Sequence, residues 1–174
     1  MAIVKRGVTV QDRQGTPAVP GELGQRVVRE ERVLLTTVGT WGLVSVIAGT
    51  AMWLGGRSRS ARLLVGVGRQ AAIWGAVDLA VVGFGLRRSA AAPETDTEAR
   101  RRAGRMAAIT GVNAAADVAY LAGAAALLRR PERRPDGLGA LGQAAFLLLV
   151  DARHARRFAG LWRGGRSAVP LTRP

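Results

Sequence analysis

The 174-residue sequence contains no cysteine, one histidine and few aromatic residues, which make up 5% of the chain. Without cysteine it can form no disulfide bond, no thiolate metal site and no lipidated cysteine. A single histidine argues further against a zinc or haem centre, and we expect no metal and no cofactor. Lysine is scarce too: Lys5 is the one lysine among 26 basic residues, a bias typical of a GC-rich bacterial genome.

Acidic residues are also few, at 12, so the chain carries a net charge of +14. These charges are not spread along the chain. They collect in short clusters between long runs that lack charge, and 48% of all residues are hydrophobic. Residues 1–32 hold six basic side chains and no apolar core of signal-peptide length, so we expect no cleavable signal. The alternation of charged clusters with long uncharged apolar runs favours a membrane protein over a soluble domain.

Four apolar runs predict four membrane-spanning helices. The first run contains 24 residues and no charge, and as a helix it would extend about 36 Å, which exceeds a hydrocarbon core of about 30 Å. The second run includes Arg69, which we expect to reach the interface. The fourth is short, since its apolar part would extend only about 21 Å. The predicted spans are residues 33–56, 63–86, 106–128 and 137–152.

The basic residues predict the orientation. Each of the three segments on one side of the predicted spans holds six Lys or Arg residues, and each of the two segments on the other side holds four. Because cytoplasmic segments carry the excess of positive charge, both termini are predicted to be cytoplasmic. The expected fold is an all-α integral membrane four-helix bundle over residues 22–162, with flexible flanks at 1–21 and 163–174. The predicted location is a bacterial cytoplasmic membrane.

Polar side chains inside the apolar runs predict a polar centre. Each should face protein and find a partner, because an unpaired polar group in hydrocarbon is costly. Their helical spacing places them on one face of each helix. The predicted members are Gln70, Trp74, Asp78, Asn113, Asp117, Tyr120, Gln143 and Asp151. A second stripe on the third helix, of small residues, predicts close approach of another helix. Its members are Ala107, Gly111, Ala115, Ala119 and Gly123.

Two interpretations of this centre are open. In the first, the polar groups hydrogen-bond one another and determine which helices pair. In the second, Asp78 and Asp117 belong to a proton or ion path or line a small-ligand cavity. His154 lies beyond the fourth apolar run among arginines, and we expect an interfacial surface histidine.

Other signals do not indicate chemistry. Gly66, Gly68 and Ala71 match G-x-G-x-x-A, but no repeating strand–helix pattern accompanies them, so we interpret the glycines as helix-packing positions. The arginines flank apolar runs and have few aromatic residues near them, which argues against binding of nucleic acid. No nucleophilic side chain is paired with a general base in the sequence pattern, so we expect no enzymatic activity.

Three segments resemble an uncharacterised family of small four-helix bacterial membrane proteins. They are AIWGAVDLAV at 72–81, NAAADVAYLAG at 113–123 and GLGALGQAAFLLLVD at 137–151. Asp78 stands where that pattern has Asn. The resemblance implies a topology and a set of polar positions, and it implies no reaction.

The sequence therefore predicts a multi-pass membrane protein that is a structural or interaction component. Its expected partners are the lipid bilayer and either a second copy or another membrane protein. The alternatives are a small oligomeric transporter or ion pathway and a soluble Ala-rich helical bundle.

Overall fold

The computed structural model describes residues 21–88 and 95–164, and all regular structure within these two ranges is helical. The prediction of an all-α, four-helix chain is confirmed. Outside the described residues lie the segment 89–94, residues 1–20 of the predicted flank 1–21 and residues 165–174 of the predicted flank 163–174. The helices are α1 Glu22–Ser58, α2 Arg62–Arg88, α3 Asp96–Leu128 and α4 Arg134–Gly164.

The four helices form two hairpins, α1 with α2 and α3 with α4, which then pack against each other. The turns of both hairpins lie at one end of the bundle, which we call the hairpin end. The opposite end, where α1 and α3 begin and α4 finishes, is the open end. Helices α1 and α4 each contact all of the other three, whereas the backbones of α2 and α3 do not approach one another. α1 and α4 are thus the two helices that hold the hairpins together, and α4 has the more extensive contact with the opposite hairpin.

Glycines bring α1 and α2 into close contact. Gly42, Gly49 and Gly56 recur every seven residues on α1 and are buried. A Cβ atom added at Gly49 would lie 2.5 Å from the backbone nitrogen of Ala72, and one at Gly68 would lie 2.6 Å from the carbonyl oxygen of Gly49. Small residues of this kind let two helix backbones touch directly. The interpretation of Gly68 as a packing position is confirmed.

The outer surface of the bundle is apolar. Helices α1, α2 and α3 are each long and apolar enough to cross a membrane. Large hydrophobic side chains remain exposed on them, including Ile47 at 62% and Val112 at 69%. Water-soluble domains rarely leave so many apolar groups uncovered. α4, the predicted fourth span, is not among the helices with sufficient hydropathy.

Three helices continue past the apolar segments at the open end. α3 begins ten residues before its predicted span, because Thr95 forms a capping box with Glu98: the Glu98 backbone N–H donates to Thr95 Oγ1 at 3.2 Å. Val27 of α1 packs with Ala99 and Ala103 of α3 in a small apolar cluster, and all three are fully buried. The open end therefore has a core of its own.

Candidate functional site

Gln143 joins three helices near the middle of the bundle. Its Nε2 donates to Asp78 Oδ2 on α2 at 2.6 Å, and Trp41 Nε1 on α1 donates to its Oε1 at 2.7 Å. Gln143 and Asp78 are buried, at 3% and 6% exposure. The Trp41 ring also stacks on Phe146 with centroids 4.0 Å apart. Both ends of the amide are thus satisfied, and the pairing of α1 and α2 with α4 is specified.

Three carboxyl groups from three helices share the polar centre. Asp78, Asp117 and Asp151 are all buried, and they lie close enough for their charges to interact. Asp117 Oδ2 is fully enclosed and has no hydrogen-bond partner among the described residues. Buried carboxylates of this kind are what a proton relay uses, and they also hold helices together when they are hydrogen-bonded.

The other predicted members of the centre divide into two groups. Trp74 and Tyr120 are half-buried and meet across α2 and α3, with ring centroids 4.9 Å apart. Gln70 is half-buried and packs beside Gly139 of α4. Asn113 is exposed, so its predicted inward orientation is wrong. It lies one helical turn before Asp117, about 40° round α3, and this rotation takes it off the buried face.

Ala107, at the open end of the predicted small-residue stripe of α3, packs against the cluster of Leu34, Val150 and Phe158, but the stripe turns outward beyond it. Ala115, Ala119 and Gly123 are exposed, and a Cβ at Gly111 or Gly123 would meet no atom within 4 Å. The expectation that α3 also packs along its small-residue stripe is therefore wrong for most of that stripe in the single chain. The inner face of α3 packs on α4 and, at the open end, on α1, and the rest of the stripe is directed outward.

The open end contains ion pairs that the sequence patterns did not reveal. Arg102 on α3 donates through Nε and Nη2 to the two carboxylate oxygens of Glu31 on α1, at 2.7 and 2.6 Å. Glu31 is 2% exposed. Such two-pronged guanidinium–carboxylate pairs fix orientation as well as charge. The signal that could have found them is the adjacent acidic pair at 30–31, which lies between the basic residues Arg29 and Arg32.

His154 is part of this arrangement and is buried, at 2% exposure, so the expected surface histidine is wrong. The helical extension of α1 covers it, and His154 Nδ1 lies 2.8 Å from Glu30 Oε1. Burial is the largest influence and lowers the pKa of His154. The carboxylate of Glu30 opposes this shift, whereas Arg157 and Arg153 reinforce it. The neutral imidazole is therefore favoured in the folded chain.

At the hairpin end Arg69 does not extend freely toward solvent. Its Nη2 donates to Asp136 Oδ1 of α4 at 2.7 Å, and Asp136 is buried at 9% exposure. Four buried polar residues therefore follow one face of α4 within about 100° of rotation and over about 27 Å of its length. They are Asp136, Gln143, Asp151 and His154. These polar residues contribute to the low hydropathy of α4, and the other helices shield them.

Among residues 21–88 and 95–164, no group of three or more His, Asp or Glu side chains is placed to hold a metal ion. Residues 37–152 match the model of a family described as a family of unknown function, DUF6992. The match covers all of α2 and α3 and more than half of α1 and of α4, and it includes all eight predicted polar residues. A comparison with the curated proteins and one with the solved structures found no match.

Proposed function

We propose that this chain, which belongs to DUF6992, a family of unknown function, is a multi-pass membrane protein that acts as a structural or interaction component. The observation that carries this proposal is the position of α4. Its polar face is buried against three helices whose outer sides are apolar. A chain with a polar interior and an apolar exterior is suited to lipid surroundings.

In the proposed arrangement α4 crosses as the fourth span despite its low hydropathy. Its polar side chains are satisfied inside the bundle, as with Gln143 and Asp78, so lipid does not have to accommodate them. The excess of Lys and Arg then places both termini and the open end in the cytoplasm of a bacterium. The outward small-residue stripe of α3 gives a second membrane helix a surface for close approach.

The structural role is supported by the completeness of the Gln143 contacts. Since both ends of its amide are bonded, the centre has the form of a helix-pairing lock. We expect Asp78→Asn to keep the bundle folded in detergent, because an amide oxygen still accepts from Gln143. Asp78→Leu should destabilise it, because the Gln143 amide then remains buried without an acceptor.

The alternative is a proton or ion pathway, and the unpartnered Oδ2 of Asp117 among three interacting carboxyls favours it. The test is flux into proteoliposomes that contain a pH-sensitive dye, under a potassium-diffusion potential. Asp96→Asn is the matched control, since Asp96 is an exposed carboxylate on the same helix.

The structural proposal predicts vesicles that remain tight to protons with wild type and both variants. A flux that Asp117→Asn abolishes and Asp96→Asn leaves intact would establish the pathway instead. Recovery of the protein without detergent in the soluble fraction would contradict both proposals and leave the soluble bundle.

A further inference from the structure

An open cavity of about 840 Å³ lies at the hairpin end, separate from the polar centre. Its walls come from the end of α1, the start of α2 and the turn that leads into α4. Two glycines make this junction close. A Cβ at Gly56 would lie 2.8 Å from Leu64 Cβ, and one at Gly66 would collide with Pro135. The cavity is thus held by three packed helix ends, and its volume is in the range of small-molecule sites.

The charged residues of the cavity lining are four arginines and two carboxylates, so the lining has a net positive charge. Arg69 is committed to Asp136, and Glu132 is the other carboxylate of the lining. Three further arginines line the same space and are exposed. Within the part of the chain that the structure describes they form no ion pair. They are Arg57, Arg62 and Arg134. Because three uncommitted guanidinium groups border one concavity, the site attracts anions.

The backbone adds to this positive potential. α2 begins at Arg62 and α4 at Arg134, so two helix N-termini border the cavity. Each carries partial positive charge and N–H groups without a helical acceptor. No acidic residue lies in the first turn of α2, and Asp136 in the first turn of α4 is already paired with Arg69.

We propose that this cavity binds a phosphate-bearing anion through Arg57, Arg62 and Arg134. Guanidinium groups match the geometry of phosphate oxygens and remain charged at every physiological pH. Two sources share this chemistry: the headgroup of an anionic phospholipid and free inorganic phosphate. The site lies where the apolar lengths of α1 and α2 end, which is the level of lipid headgroups in a membrane.

The test uses the full-length protein, purified in a neutral detergent, with phosphatidylglycerol and inorganic phosphate as separate probes. The variant changes Arg57, Arg62 and Arg134 to Gln. A matched control removes the same charge from exposed arginines of the same end that do not line the cavity. Its substitutions are Arg129→Gln, Arg130→Gln and Arg133→Gln. Dissociation constants come from native mass spectrometry for the lipid and from calorimetry for phosphate.

We expect the cavity variant to bind at least about tenfold more weakly, which corresponds to one lost charge-assisted contact. The control should stay within about twofold of wild type. Tightest binding of the lipid assigns a headgroup site, and binding of phosphate with the same variant pattern assigns a free-anion site. Equal losses in both variants, or no binding of either probe by wild type, would overturn the proposal.

If the triple variant does not fold, Arg62→Gln against Arg130→Gln provides the same comparison with one charge each. Binding is measured in detergent, so the result does not depend on whether α4 spans a membrane. A failure of the anion site and a failure of the proposed membrane topology are therefore distinguishable.

Discussion

Replacing Gln143 with leucine should destabilise the bundle, because it removes two hydrogen bonds at once. The side chain is buried and connects Asp78 at 2.6 Å and Trp41 at 2.7 Å. An apolar residue of similar size leaves the buried Asp78 carboxyl and the indole N–H of the half-buried Trp41 without partners. A buried unsatisfied group costs about 1–3 kcal/mol, whereas interhelical hydrogen bonds in membranes average about 0.6 kcal/mol. We therefore expect a total loss of about 1–3 kcal/mol for Gln143→Leu.

The measurement is reversible unfolding in mixed micelles with increasing sodium dodecyl sulfate, followed by circular dichroism at 222 nm. Asn113→Leu is the matched control, because Asn113 is a polar amide within a predicted span that is exposed on α3. It should change the free energy of unfolding by less than about 0.5 kcal/mol. The double variant Gln143→Leu with Asp78→Leu should recover part of the loss, since both partners are then apolar.

A cost of Gln143→Leu no greater than that of Asn113→Leu would mean that the amide is not buried against its partners. A double variant that loses as much stability as the sum of the two single changes would mean that Gln143 and Asp78 stabilise the bundle through separate contacts. Either result would contradict the proposed bond between them.

Three further predictions concern packing and the open end. Gly68→Ala should lower the free energy of unfolding by about 1–3 kcal/mol, because the added Cβ would press on α1. Gly83→Ala should not destabilise the bundle, because its Cβ would meet no atom within 4 Å. Unfolding in detergent measures both variants. Arg102→Gln should lower the free energy of unfolding by about 3 kcal/mol, because it leaves Glu31 buried and unpaired. A variant as stable as wild type would contradict a stabilising role of this ion pair. Burial lowers the pKa of His154, so the unfolded chain takes up its proton first as the pH falls below 6.5, and folded stability should decrease there. A pH series should show that decrease in wild type and not in His154→Gln.

The sequence patterns predicted the helices and much of the centre because both depend on local periodicity. A charge-free run as long as the first one has few alternatives to a helix, and α1 contains it whole. Asp78 and Gln143 were placed together because each polar residue in an apolar run needs a partner, and they bond directly.

What failed depended on how helices rotate and stack, which no single helix reveals. Asn113 and Asp117 share a predicted face, yet the position of α4 buries one and leaves the other exposed. His154 was predicted at the surface from its arginine neighbours. The covering residue, Glu30, is more than a hundred positions away in the chain. Long-range pairs of this kind are set by tertiary packing.

Helix α4 shows why hydropathy alone underestimates a central helix. Its buried face carries Asp136, Gln143 and Asp151, which lower its mean hydropathy while contacting protein. A membrane helix surrounded by others does not need an apolar face on every side. The criterion for crossing is then the chemistry of the exposed face, where Leu149 is 73% exposed.

The most direct test of the account is the accessibility of single cysteines, which the cysteine-free chain permits without background. Ser58→Cys and Glu132→Cys at the hairpin end, and Thr97→Cys and Arg156→Cys at the open end, replace exposed residues. In intact bacterial spheroplasts, a membrane-impermeant maleimide should label the first two, and it should label the other two only after permeabilisation. Labelling of Glu132→Cys together with Arg156→Cys before permeabilisation would contradict four spans with both termini in the cytoplasm.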